Sequence, residues 1–212
     1  MKLGVLASHA GTTLQCVLDA IADKRIDADV VLIISNNSQS GAMQRGAENQ
    51  IETLHVSAVT HPDEEERDGA ICNALTQRGV DLVLLAGYMK PLGTRTLTTY
   101  AGRILNTHPS LLPKYGGQGF FGVRVHEAVL AAGDSETGAT VHIVTTDYDE
   151  GPIVGQVTVP VRKDDSVDSL QERVKVAERS LLVEVLREWS QQRESDQTED
   201  QGPSIANVTP GV

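Results

Sequence analysis

The chain has 212 residues and a formal net charge of −11, from 18 Lys and Arg against 29 Asp and Glu. That length fits one medium domain, or one domain and a tail, and that charge argues against nucleic acid as a general partner, because phosphate binding needs clustered Lys and Arg. No apolar run approaches the roughly 20 residues of a membrane span, and the opening MKLGVLAS is too short for the apolar region of a signal peptide.

Lys2–Ala7 reads as a short buried strand and Leu14–Ile21 as a helix, with Leu14, Val17, Leu18 and Ile21 at helical spacing. Between them lies SHAGTT, a glycine-bearing turn opening a helix. Backbone N–H groups and the positive helix end make such a turn a candidate anion cradle, with Thr12 or Thr13 as N-cap. It is no Walker sequence and lacks the three-glycine dinucleotide fingerprint, so an ordinary strand-to-helix turn remains an equal reading. Asp29–Ser35 is a second buried strand, Gly41–Asn49 a helix, Thr53–Val56 a third strand and Asp63–Arg78 a helix with an acidic first turn. Asp81–Ala86 is a continuous apolar strand, as in parallel sheets covered on both faces. The loop Gly87–Pro91, a helix Leu92–Tyr100 and a strand Arg103–Thr107 follow.

That last strand continues as RILNTHPSLLP. Side chains two apart in an extended chain point the same way, so Asn106 and His108 project together from a strand end. Beyond Pro113, KYGGQGFFG is a tightly bending loop. Val125–Ala132 reads as a short helix around His126. Thr137–Thr145 and Ile153–Val161 read as a strand pair, joined by an acidic loop with Asp147, Asp149 and Glu150. A long amphipathic helix spans Ser166–Trp189. From Gln191 the chain is polar and aperiodic, and a disordered tail is expected over 191–212, leaving one domain over 1–190. Cys16 and Cys72 lie far apart in helix-like patterns. They predict neither a disulfide framework nor a metal site and suit a cytoplasmic setting.

Alternating β and α segments, four βα units before His108, predict an α/β fold with a doubly wound, mostly parallel, Rossmann-like sheet, ending in a strand hairpin and a long helix. Open sheets of this kind bind ligands at the carboxyl ends of their strands. His108 alone could be a capping or satisfied buried histidine. With Asn106 beside it and an Asp from the acidic loop, the set suits acyl transfer. The carboxylate would keep the imidazole protonated and the amide would hold an oxyanion. No Ser or Cys nucleophile motif is present, so direct attack by an amine or water is favoured over a covalent acyl-enzyme.

NTHPSLLPKYGGQGFFGVRVHEAVL resembles the signature of the phosphoribosylglycinamide formyltransferase (GAR transformylase) family, which is folate-dependent. SHAGTTLQ, LVLLAGYMKPLG, GATVHIVTTDYDEGPIVGQVTVPV and VKVAERSLLVEVL extend the resemblance in order over about residues 1–190. The resemblance implies 10-formyltetrahydrofolate as formyl donor and glycinamide ribonucleotide as acceptor. Asn106, His108 and Asp149 would be catalytic. Met89, Lys90, Pro91 and Leu92, with Asn106, Asp147 and Asp149, would hold the folate. Gly11, Thr12 and Thr13 would take the acceptor's phosphate and Glu178 its ribose. His126 and His142 also match, with supporting roles. The protein would be a monomer or homodimer.

The chain departs from that pattern at the turn, where His9 and Thr13 replace a glycine and an asparagine, and at Gln118, where many relatives carry lysine. No arginine precedes the acidic helix, where the sequence is HPDEEER. Three alternatives stay open: a formyltetrahydrofolate deformylase with water as acceptor, a formyltransferase for another amine such as an amino sugar nucleotide, and a non-catalytic folate-binding module. Deformylases usually carry an added N-terminal domain, whereas the first core strand here begins at Lys2.

Overall fold

A computed structural model describes residues 1–199, with side chains through 192. The strands are β1 (Lys2–Leu6), β2 (Asp29–Ser35), β3 (Thr53–His55), β4 (Leu82–Leu85), β5 (Ile104–His108), β6 (Glu136–Ile143) and β7 (Ile153–Pro160). The helices are α1 (Thr12–Ala22), α2 (Gly41–Glu48), α3 (Glu64–Gln77), α4 (Thr94–Thr99), α5 (Val123–Ala132) and α6 (Val167–Glu199). The seven strands form one sheet in the order β3-β2-β1-β4-β5-β6-β7. The first five are mutually parallel, while β6 runs antiparallel to β5 and β7 antiparallel to β6. The chain therefore winds outward through β1, β2 and β3, then returns to place β4 on the other side of β1. The switch point lies between the carboxyl ends of β1 and β4, where ligands of doubly wound sheets bind.

Alternation along the strands builds a core on each face. Leu3, Val5, Leu84, Leu105 and Val141 pack with α1 and with Leu182, Val183, Val185 and Leu186 of α6. Leu6, Leu32, Ile34, Val83, Leu85 and Ile104 pack with Ile71, Ala74 and Leu75 of α3 and with Tyr100. Each fully buried Leu or Ile contributes about 1.5–3 kcal/mol. This two-sided burial is why β4 reads as an unbroken apolar run.

The sheet, its hairpin and its terminal helix match expectation, with three corrections. Neither Thr12 nor Thr13 caps α1. Gly11 occupies the N-cap with φ 69°, no side chain caps the helix, and Thr12 is already helical. A left-handed N-cap suits glycine, and here a Cβ would also lie 2.9 Å from the Ala42 Cα. The helix expected at Leu92 starts at Thr94. Its amino end is held from α3, where the Asp68 carboxylate accepts from the N–H groups of Arg95 and Thr96. Finally, α6, expected to end at Trp189, continues to Glu199. Glu, Gln and Arg there are good helix formers that extend a helix already anchored on the sheet. The rest of the expected tail, 200–212, lies outside the described residues.

Candidate active site

Asn106 and His108 sit at the end of β5, opposite His142 and Thr140 of β6. They share the sheet face of Ile104, while Thr107 shares that of Leu105. His108 is 4% exposed. Its Nε2 donates to the Tyr115 carbonyl at 2.7 Å, since a carbonyl can only accept. Its Nδ1 stands 3.4 Å from Asp149 Oδ2. The Tyr115 backbone is held in place because its hydroxyl donates to Asp134, which Lys114 also engages.

His142 completes the cluster. Its Nδ1 donates to the Ile143 carbonyl at 3.0 Å. In the neutral ring Nε2 must then accept, and it accepts the hydrogen bond of Asn106 Nδ2 at 3.2 Å. Burial lowers the His142 pKa, opposed by the Ile143 carbonyl and by Asp149, so the accepting form is favoured. This fixes the Asn106 amide with one N–H spent on His142 and the other free for an oxyanion. Asp149 Oδ1 lies 3.5 Å from His142 Nε2, so the carboxylate stands between the two imidazoles.

Topology alone would not bring Asp149 here. Because β6 is antiparallel, the β6–β7 turn leaves level with Ile104, whose carbonyl accepts from Val144. The loop climbs back to His108 and is fastened by the Gly117 N–H, which donates to Asp149 Oδ2 at 3.0 Å. Asp149 has φ 58°, a left-handed conformation that Asp tolerates better than most residues.

On the opposite face, Thr107 Oγ1 donates to Glu178 of α6 at 2.9 Å. Burial pushes the Glu178 carboxyl above its ordinary range, opposed by that hydroxyl. The turn Ser8–Thr13 leads from β1 into α1 and is backed by α2: Ala42 N–H donates to the His9 carbonyl and Arg45 to that of Ala10. Met89, Lys90 and Pro91 are exposed after β4, and Leu92 packs with the second core.

A family model described as formyl transferase matches residues 1–186. The chain belongs to the formyl transferase family. The phosphoribosylglycinamide formyltransferase of Haemophilus influenzae is 36% identical over 192 residues, covering 91% of this chain and 88% of that protein. The chloroplastic protein of the same name from Arabidopsis thaliana is 36% identical over 186 residues, 87% of this chain but 64% of the relative. The solved glycinamide ribonucleotide transformylase 1 of Symbiobacterium toebii superposes with a TM-score of 0.84 at 36% identity, covering 91% of this chain and 89% of that one. A formyltetrahydrofolate deformylase from Pseudomonas syringae gives 0.80 at 26% identity, covering 91% of this chain and 62% of its own.

In this formyl transferase the structure gathers Asn106, His108 and Asp149 into one cluster, with Glu178 behind the intervening Thr107. Among the described residues no hydrogen bond ties Gly11, Thr12 or Thr13 to that cluster, and Asp147 is exposed on the loop that carries Asp149. Two participants were not legible as such. The Tyr115 carbonyl and the Gly117 N–H are backbone groups, which no residue type announces. His142 was legible only as a supporting histidine; its partner, Asn106, is set by β5–β6 register. A cleft of about 660 Å³ lined by Lys24, Arg25, Asp27 and the far half of α6 lies toward the amino ends of the strands and contains none of these residues.

Proposed function

We propose that the protein transfers the formyl group of 10-formyltetrahydrofolate to the amine of glycinamide ribonucleotide, a step of purine synthesis. The observation that carries the reading is the Asn106–His142–Asp149–His108 cluster at the end of β5, with both histidines buried. It pairs an amide with a free N–H and an imidazole beside a carboxylate. The hydroxyls of Thr107 and Ser110, which flank His108 in the chain, are spent on Glu178 and on the Lys114 carbonyl, which supports direct attack on the donor.

The donor would lie on the Ile104 face, against Met89, Lys90, Pro91 and Leu92 and the Asp147–Asp149 loop. The acceptor would lie on the Leu105 face, its phosphate at Gly11–Thr13 and its ribose at Glu178. The two would meet over the end of β5. The amine nitrogen bonds to the formyl carbon, whose oxygen becomes an oxyanion facing the Asn106 N–H. His108, held between the Tyr115 carbonyl and Asp149, brings its imidazole to the same place. Collapse breaks the bond from carbon to N10 of the folate. One proton leaves the amine and one reaches N10, with the Asp149–His108 pair as the relay. Both thiols, Cys16 and Cys72, are free, which suits the cytoplasm.

The test follows tetrahydrofolate release from 10-formyltetrahydrofolate with and without glycinamide ribonucleotide. Release that depends on the amine is expected. Release at the same rate with water alone would assign the chain to the deformylases instead. Release driven only by an amino sugar nucleotide would move the altered Ser8–Thr13 turn to a different acceptor.

A further inference from the structure

Ser8 lies two residues beyond the end of β1, at the switch point of the sheet, and is 3% exposed. Its backbone N–H donates to the Gly87 carbonyl at 3.2 Å. Its hydroxyl donates to Asn36 Oδ1 at 2.6 Å, which points the oxygen lone pairs the other way, and there it accepts the Met89 N–H at 2.9 Å. Ser8 thus joins the ends of three strands: its own, β2 through Asn36 and β4 through Gly87 and Met89.

The consequence lies in the loop after β4. Gly87 has φ 71°, a left-handed turn that glycine takes without strain, and its carbonyl is the last backbone group of the β4 end that Ser8 holds. Among the described residues, the backbone of 88–92 makes one hydrogen bond, that from Met89 N–H to Ser8 Oγ. The same serine opens the turn whose next residues, Gly11–Thr13, face the acceptor in the proposed function. One side chain therefore belongs by sequence to the acceptor half of the site and by hydrogen bond to the donor half.

We infer that Ser8 is a positioning residue that fixes the donor loop, through Met89, relative to the acceptor turn, with Asn36 setting the direction of its hydroxyl. This rests on the proposed formyl transfer for its kinetic meaning, but its structural content does not. Without the hydroxyl, Met89 N–H loses its partner and the loop 88–92 swings about Gly87. Donor binding weakens, because the loop's shape must then be fixed at the cost of binding. Acceptor binding does not, because the turn keeps its ties to Ala42 and Arg45.

The experiment compares wild type, Ser8→Ala, Asn36→Ala and Asn36→Asp. Amide hydrogen exchange of Met89 is read first, since it needs no assumption about the reaction. Ser8→Ala should speed exchange at Met89 by about tenfold, while amides of β4 stay as in wild type. In kinetics, Ser8→Ala should raise the donor KM about five- to tenfold with the acceptor KM within about twofold of wild type. Asn36→Ala should give a smaller shift of the same kind, and Asn36→Asp, which keeps the accepting oxygen, should restore it. A Ser8→Ala protein with unchanged Met89 exchange overturns the inference. So does one in which both KM values and the melting temperature move together, which marks a general loss of packing. Should Ser8→Ala not fold, Asn36→Ala against Asn36→Asp carries the same comparison from a less buried position. A wild type with no amine-dependent release but a Ser8-dependent Met89 amide would refute the proposed reaction and leave the positioning role standing.

Discussion

The N–H of Gly117 donates to Asp149 Oδ2, the same oxygen that stands 3.4 Å from His108 Nδ1. A backbone group from the glycine-rich loop therefore holds the acidic loop in register with His108. The two interactions can be separated by mutation. Asparagine at 149 can still accept the Gly117 N–H but brings no charge to His108. Asp149→Asn should fold with a melting temperature within a few degrees of wild type, and kcat should fall about 10²- to 10⁴-fold. Near-normal turnover in that variant would exclude the charge pairing.

Asn106 owes its orientation to His142, so His142→Ala should release the amide and lower kcat by about tenfold or more, part of what a full oxyanion donor supplies. Glutamine at 142 can accept from Asn106, and His142→Gln should recover some of the loss. Acid should mimic the alanine variant: protonated His142 becomes a donor on both nitrogens and repels the Asn106 N–H. Steady-state kinetics of the three proteins at two pH values tests both points. Equal kcat in His142→Ala and wild type would detach the residue from the site.

His126 of α5 is 1% exposed, and its pKa is lowered from 6.5 to about 4, mainly by burial and then by Lys175 and His108. Between those values the unfolded chain carries the proton and the folded chain does not. Stability is therefore complete above about pH 6.5 and falls as pH drops toward 4. His126→Leu, which removes the titrating ring, should flatten the fall in urea midpoint between pH 7.5 and 5. His142, shifted in the same direction, keeps the remainder. A slope unchanged in His126→Leu would show that His126 does not drive it.

Asp68 is 7% exposed and holds the amino end of α4 through the N–H groups of Arg95 and Thr96 and the Thr96 hydroxyl. Asp68→Ala should cost about 1–2 kcal/mol, as losing a helix cap does, seen as a lower denaturation midpoint. Gly93→Ala should also destabilise, because a Cβ there would lie 2.3 Å from Asp68 Cγ. A neutral result for Asp68→Ala would mean that α4 is held by packing alone.

The alternation of apolar and polar segments was enough to call for a parallel, doubly wound sheet, because strands covered on both faces must be apolar at every position. The pairing of Asn106 with His108 was legible for a similar reason: two-residue spacing in a strand fixes a shared side. Caps were less legible. Thr12 and Thr13 are good capping types, yet Gly11 takes the position, because the turn needs a left-handed residue pressed against α2. The cap of α4 comes from Asp68, 27 residues earlier than Arg95, a distance over which local sequence signals carry nothing. The end of α6 was misjudged because its last turns are polar all round, which removes the periodicity that marks a packed helix.

The sequence by itself determined which chemistry the chain could carry: an amide and an imidazole on one strand end, an acidic loop, and an order of segments that resembles one family throughout. Only the tertiary structure decided how these groups act on one another. The register of β5 on β6 sets His142 against Asn106, and the returning loop, fastened by Gly117, sets Asp149 against His108. The switch point sets Ser8 against Met89. Each of these is a contact between segments far apart in the chain, fixed by strand order and backbone hydrogen bonds, and neither leaves a mark in the identity of neighbouring residues.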